Sequence, residues 1–123
     1  MQIRVYYEDT DAGGIVYHTR YINFCERARS EIFFNNGMLP TGGEKSGFVV
    51  RKINADFLGS AKLGDLLEVK SRLVELKRSS TTLRQEVWLG EEKLFAMTIL
   101  LVYMDHGKIS RIPKHFLELF ELL

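Results

Sequence analysis

The chain predicts an α+β layer, with one long helix laid against an antiparallel sheet of about five strands. Three observations carry that prediction. One stretch of helical periodicity, from about Tyr17 to Asn36, lies near the start. Strand-like stretches follow it, joined by links too short to hold crossover helices. A short apolar-periodic segment after Pro113 closes the chain.

Taken in order, Gln2 to Tyr7 alternates and is rich in β-branched and aromatic residues, which reads as a strand. Asp9 to Gly14 is a loop. In the helix, Tyr21, Phe24, Cys25, Ala28 and Ile32 form an apolar stripe, while Ile22, Phe33 and Phe34 widen it. A helix apolar on more than one side suits a sheet that curls around it. Gly37 is the stop signal. Leu39 to Gly47 carries Pro40, Gly42 and Gly43 and reads as a mobile surface loop. Phe48 to Leu58 is the next strand, and Gly59 to Gly64 is a turn containing Lys62. Asp65 to Leu76 fits helix or strand by composition. The alternation of Leu67, Val69, Ser71 and Leu73 with charged neighbours favours strand. Thr81 to Leu89 and Leu94 to Met104 form a hairpin across Gly90-Glu91-Glu92. Asp105-His106-Gly107 is a further turn. Pro113 is placed as the first residue of a closing helix, Lys114 to Leu122.

The 123 residues suit a single domain spanning 1–123. With 17 basic and 16 acidic side chains the net charge is +1, which gives no support to broad nucleic-acid or membrane binding. The lone cysteine, Cys25, excludes an internal disulfide and any multi-cysteine zinc site. Its place on the apolar stripe makes it a buried, inert thiol. No run of about 18 apolar residues is present, and Met1 leads directly into a strand-like segment, so no integral membrane segment and a cytoplasmic location are expected.

The chemistry concentrates between Val5 and Glu31, where an acidic turn, two glycines, a histidine and a helix start fall close together. Asp9 and Asp11 are each open to two readings, a turn cap or a reacting carboxylate. Asp11 stands just before Gly13-Gly14 and the helix entry, where a carboxylate faces whatever the helix N-terminus holds. His18 is either a polar residue of the first helical turn or a group that orients a ligand and moves a proton. Backbone N–H groups of that turn lack intrahelical acceptors and, with the helix dipole, can stabilise an oxyanion. Tyr7 either packs in the core or hydrogen-bonds the acidic turn. Asp9, Asp11 and His18 match no usual metal-ligand spacing, and no metal is expected. The glycine pair matches neither nucleotide-binding fingerprint.

The segment YYEDTDAGGIVYHTRYINFCERARSE resembles the signature of the hotdog-fold acyl-CoA thioesterases related to 4-hydroxybenzoyl-CoA thioesterase, and more closely their Tol–Pal-associated YbgC-type branch. Asp11, Gly14, Val16, Tyr17, His18, Tyr21, Glu26, Ala28 and Arg29 carry the pattern. FLGSAKLGDLLEV and Ile112-Pro113 extend it over nearly the whole chain, with Ser60 standing where proline is expected. The resemblance implies a sheet wrapped around the long helix in a homodimer or homotetramer. It implies hydrolysis of acyl-CoA, or of acyl carrier protein thioesters, with no cofactor beyond the coenzyme A of the substrate. Asp11 becomes the catalytic carboxylate, with His18 and Tyr7 as companions and Gly14, Val16 and Tyr17 lining the substrate. Lys62, Lys77 and Arg78, in or next to turns, are candidates for the coenzyme A phosphates, Arg78 foremost. Two other readings stay in view: a non-catalytic acyl-binding or envelope-associated scaffold module, which has no need of Asp11, and a dehydratase of the same architecture.

Overall fold

Alternation in the second half of the chain gives long strands, and their short links fix antiparallel order. The computed structural model describes residues 1–123. The elements are β1 (Gln2–Arg4), a single 3₁₀ turn (Tyr7–Asp9), α1 (His18–Phe34), β2 (Thr41–Gly43), β3 (Ser46–Phe57), β4 (Leu66–Leu76), β5 (Ser80–Leu89), β6 (Glu92–Asp105), β7 (Lys108–Ile109) and α2 (Lys114–Glu121). The sheet runs β1-β4-β5-β6-β3-β2, with β7 on β6, and every pairing is antiparallel. Five strands make the body of the sheet, as expected, and β2 and β7 are short hairpin additions.

α1 lies on the concave face and buries Tyr21, Phe24, Cys25, Ala28 and Phe33. Ile32 is only half-buried, and Phe33 takes the inward place at that end, with its ring against Phe48, Phe116 and Phe120. The helix stops where Gly37 takes a φ of 69° and the Met38 N–H returns to the Phe33 carbonyl at 2.9 Å, closing the last turn. A buried polar clamp ties the middle of α1 to the sheet. Gln85 is fully buried, donates to the Cys25 carbonyl (2.8 Å) and to Ser71 Oγ (3.0 Å), and accepts from Arg29 Nη1 (3.0 Å). A fully bonded buried amide holds its register, because any slip leaves polar atoms unpaired in a medium that cannot solvate them.

Three expectations need correction. The first strand ends at Arg4 and not Tyr7, because Val5 exchanges backbone bonds with Asp65 and Gly64 and the next residues coil around the Asp9 carboxylate. Leu39–Gly47 is not a plain loop: β2 pairs with the start of β3. Pro113 caps α2 from one residue outside, an equally suitable place for a residue with no N–H to lose. β4 is a strand, as the alternation implies, with Leu67 and Val69 buried. A register shift between Leu73 and Glu75 leaves Val74 and Glu75 both exposed and brings Leu76 back against the core. No helix is long and apolar enough to cross a membrane.

Candidate active site

The entry to α1 is assembled from three chain segments. Val16 is buried and donates its N–H to the Ala61 carbonyl at 2.9 Å, and Ile15 forms a β-bridge with Lys62. The Ala61 N–H in turn donates to the Tyr21 hydroxyl at 3.0 Å. Tyr21 is buried, stacked on Phe95, and burial pushes its phenol above the usual range, so it stays a neutral brace. The Gly59–Gly64 turn is therefore fastened to the first turn of the helix.

Between β1 and the helix the chain makes a tight excursion that holds both aspartates. Thr10 bridges Val16, the Asp11 N–H donates to the Ile15 carbonyl (2.9 Å), and the Gly14 N–H to the Asp11 carbonyl (3.0 Å). Gly14 takes a φ of 82°, a conformation that disfavours any side chain. At the tip the Asp11 carboxylate is solvent-exposed and accepts one bond, from the Gly13 N–H at 2.8 Å. Its other oxygen is free. Asp9 is the opposite case. It is 2% exposed, accepts from the Tyr6 N–H (2.9 Å) and Arg20 Nε (3.1 Å), and its backbone carbonyl takes the Tyr17 N–H at 2.8 Å. The capping reading holds for Asp9, which welds the loop to the helix start. Asp11 is left facing out beside that start.

α1 begins at His18 without a side-chain cap. The N–H groups of His18 and Thr19 donate to no acceptor in the chain, whereas that of Arg20 bonds the Tyr17 carbonyl. Two free donors at the positive end of a seventeen-residue helix are a ready oxyanion site. The exposed His18 ring lies 4.6 Å from the Tyr17 ring and 5.9 Å from that of Phe57. Tyr7, Ile15, Tyr17, Phe57 and Leu58 are all exposed around this corner, an apolar surround for a charged centre. Tyr7 is 82% exposed and makes no core contact, which corrects the packing reading for it.

The sequence candidates thus divide. Asp11, Gly14, Val16, Tyr17, His18 and Lys62 gather at the helix start, and Tyr7 stands in the adjoining 3₁₀ turn. Arg78 does not. It lies past the far end of β4, and eleven residues at about 3.3 Å each put it roughly 35 Å from this corner within one chain. Arg20, Tyr21 and Phe57 escaped the sequence reading as site residues. Arg20 was legible as a cation following an acidic turn, Tyr21 carried the family pattern with no role attached, and Phe57 read only as strand. Cys25 is fully buried and its thiol is pushed up to about 12 by that burial, so it is inert. No three His, Cys, Asp or Glu side chains gather where they could hold a metal ion.

Comparison with known proteins identifies the family. The family model of the Thioesterase superfamily matches residues 13–96. The acyl-CoA thioesterase YbgC of Helicobacter pylori is 40% identical over an alignment covering all of both chains. The acyl-CoA thioester hydrolase YbgC of Escherichia coli is 35% identical over 97% of this chain and 92% of its own. A solved structure described as a probable thioesterase from Bartonella henselae superposes with a TM-score of 0.85 at 35% identity, over 92% of this chain and 97% of that one.

Proposed function

Because the chain belongs to the Thioesterase superfamily, we propose that it hydrolyses acyl-CoA thioesters at the corner formed by Asp11 and the first turn of α1. One observation carries the reading: an exposed carboxylate with a free oxygen sits on a residue whose backbone is bonded to Ile15, just ahead of a helix start with two backbone N–H groups that have no acceptor. The thioester carbonyl oxygen accepts from the His18 and Thr19 N–H groups, whose pull strengthens as the oxygen gains charge. Asp11 then acts in one of two ways. It attacks the carbonyl carbon, expelling coenzyme A thiolate and leaving a mixed anhydride that water cleaves. Alternatively it takes a proton from water, whose oxygen attacks directly. Both give free acid and thiol, and both need the ionised carboxylate. His18 orients the thioester, and Tyr17, Phe57 and Tyr7 flank the acyl group. Acyl carrier protein presents the same pantetheine thioester and suits the same corner. Such substrates fit a cytoplasmic enzyme.

The working unit is a dimer. β3 pairs with β6 along its whole length, but its other edge meets only β2, at Ser46 and Gly47. From Phe48 to Phe57 that edge is open and carries exposed Val49, Val50 and Phe57, a condition a soluble sheet does not leave uncovered. Two copies joined antiparallel about the middle of this edge set Phe57 of one opposite Phe48 of the other. Phe48 pairs with Tyr103, whose N–H bonds the Ser79 carbonyl. Three strand spacings of about 4.8 Å then bring the second copy's Arg78 turn to roughly 15 Å from Phe57, against roughly 35 Å in the same chain. That favours a site shared between subunits, with Lys62 from one and Arg78 from the other on the coenzyme A phosphates.

The test is thiol release from a panel of short, long and aromatic acyl-CoAs, with light scattering on the same sample. Hydrolysis of at least one class by a dimer or larger assembly is expected. A stable monomer at micromolar concentration removes the shared site. Acyl-CoA binding without any hydrolysis moves the binding-module reading ahead.

A further inference from the structure

The Asp11 carboxylate and the two free N–H groups of α1 sit on different segments, and the chemistry needs them at a fixed separation. The near side of the loop is fastened twice, by the Thr10–Val16 bridge and by the bond from the Tyr17 N–H to the Asp9 carbonyl. The tip hangs from Ile15, whose carbonyl accepts the Asp11 N–H at 2.9 Å. Ile15 and Val16 are held in turn by the Gly59–Gly64 turn. Ile15 bridges Lys62, and the Val16 N–H donates to the Ala61 carbonyl at 2.9 Å. A single hydrogen bond then joins that turn to α1: the Ala61 N–H donates to the Tyr21 hydroxyl at 3.0 Å.

These bonds close a ring. It leaves α1 at Tyr21, crosses Ala61 to Val16 and returns along Tyr17 to the helix one turn earlier. The His18 and Thr19 donors lie on the ring, and Asp11 is bonded to it at Ile15. The remainder of the turn is tied elsewhere. The Leu58 and Gly59 N–H groups both donate to the Leu94 carbonyl, and a Cβ on Gly59 would stand 2.9 Å from Leu94 Cδ2, so this half is pressed onto β6. The Gly64 N–H donates to the Val5 carbonyl and closes the other half. Ala61 is fully buried, so without the hydroxyl its N–H has no water to turn to. An unpaired buried donor is costly enough to move the segment that carries it. The Tyr21 ring, by contrast, is held without its hydroxyl. It stacks on Phe95 with centroids 5.5 Å apart and meets Phe24 and Phe57 edge-on.

We propose that Tyr21 is a positioning residue, whose hydroxyl acts through Ala61 and Val16 to fix the Asp11 carboxylate relative to the oxyanion donors. This rests on the thioesterase reading above. Tyr21 is 2% exposed and meets no substrate itself. Its effect is geometric: a reacting group displaced by about 1 Å loses on the order of a hundredfold in rate. Loss of the bond frees the turn at Ala61, the Ile15–Val16 segment follows it, and the loop tip that carries Asp11 follows Ile15.

Tyr21→Phe keeps the packed ring and removes the hydroxyl. Its kcat on a short acyl-CoA is expected to fall about tenfold or more, with KM within about twofold of the parent. Ile99→Val is the stability control: it trims a buried β6 side chain outside the hydrogen-bonded ring and lowers the melting temperature by a few degrees. Its kcat should stay within about twofold. If Tyr21→Phe loses no more kcat than Ile99→Val, the role is structural and the proposal is overturned. Adding Tyr21→Phe to Asp11→Asn should leave the residual rate unchanged, because no carboxylate remains to be placed. A further tenfold fall there overturns the proposal as well. Amide hydrogen exchange reads the ring without any hydrolysis. In Tyr21→Phe the N–H groups of Ala61, Val16 and Asp11 are expected to exchange at least about tenfold faster, with the β5–β6 ladder changing no more than it does in Ile99→Val. Unchanged exchange at Val16 and Asp11 overturns the proposal. If the parent protein cleaves no thioester the thioesterase reading fails, and the exchange result alone decides whether Tyr21 holds the loop.

Discussion

Asp9 and Asp11 share one loop, two residues apart, and occupy opposite environments. Asp9 is buried, and both of its carboxylate oxygens are bonded, one by a backbone N–H and one by Arg20. Asp11 is exposed, with a single bond from the Gly13 N–H. A carboxylate whose lone pairs are spent on its own chain stabilises a loop but has little left to offer a substrate. One with a free oxygen beside unpaired donors can react. The difference comes from which way the chain turns, and residue type alone does not reveal it.

The comparison breaks most directly at Asp11. Asp11→Asn keeps an oxygen for the Gly13 N–H, so its melting temperature should stay near that of the parent, at a cost of about 1 kcal/mol or less. Turnover should fall roughly a hundredfold or more, because the charge needed by either route is gone. The helix end sharpens the picture. His18→Pro deletes one oxyanion donor and remains compatible with a first helical position, where Tyr17 already has an extended ψ of 132°. A loss on the order of a hundredfold is expected in kcat. His18→Ala keeps that N–H and should lose only about tenfold. If the two His18 variants prove equal, the side chain and not the backbone carries the role.

Asp9→Asn should have the smallest effect on turnover and the largest on stability. It leaves Arg20, whose side chain is 24% exposed, with only the more distant Glu8 carboxylate at 3.9 Å, so the loss is about 1–2 kcal/mol by urea denaturation. Folded protein should turn over within a few-fold of the parent. An exposed turn cap of this kind costs about 0.5–1 kcal/mol when lost. Burial and the Arg20 bond raise it.

How far the sequence reached follows from the range of the forces involved. α1, the β5–β6 hairpin and the strand character of β4 were legible because local periodicity and turn residues decide them. Tyr6 and Tyr7 read as the end of the first strand, because the 3₁₀ turn that follows is held by a bond to the Asp9 carboxylate that no periodicity announces. β2 escaped because three exposed residues, two of them glycine, become a strand only by pairing with β3. At the site, Asp11 and His18 stood out by their place at a loop–helix junction. The separation of Lys62 from Arg78 depends on the length and direction of β4 within the sheet, which single turns cannot convey. Tyr21 read as one more core aromatic until its hydroxyl was seen to take the Ala61 N–H.

The central claim is that Asp11 acts on a bound thioester and is not needed to hold it. Equilibrium binding of a short acyl-CoA and its single-turnover hydrolysis, measured on one preparation of folded Asp11→Asn protein, address that claim together. The account predicts affinity within a few-fold of the parent and hydrolysis slowed at least a hundredfold. Hydrolysis near the parent rate, with binding intact, would contradict it and remove Asp11 from the chemistry.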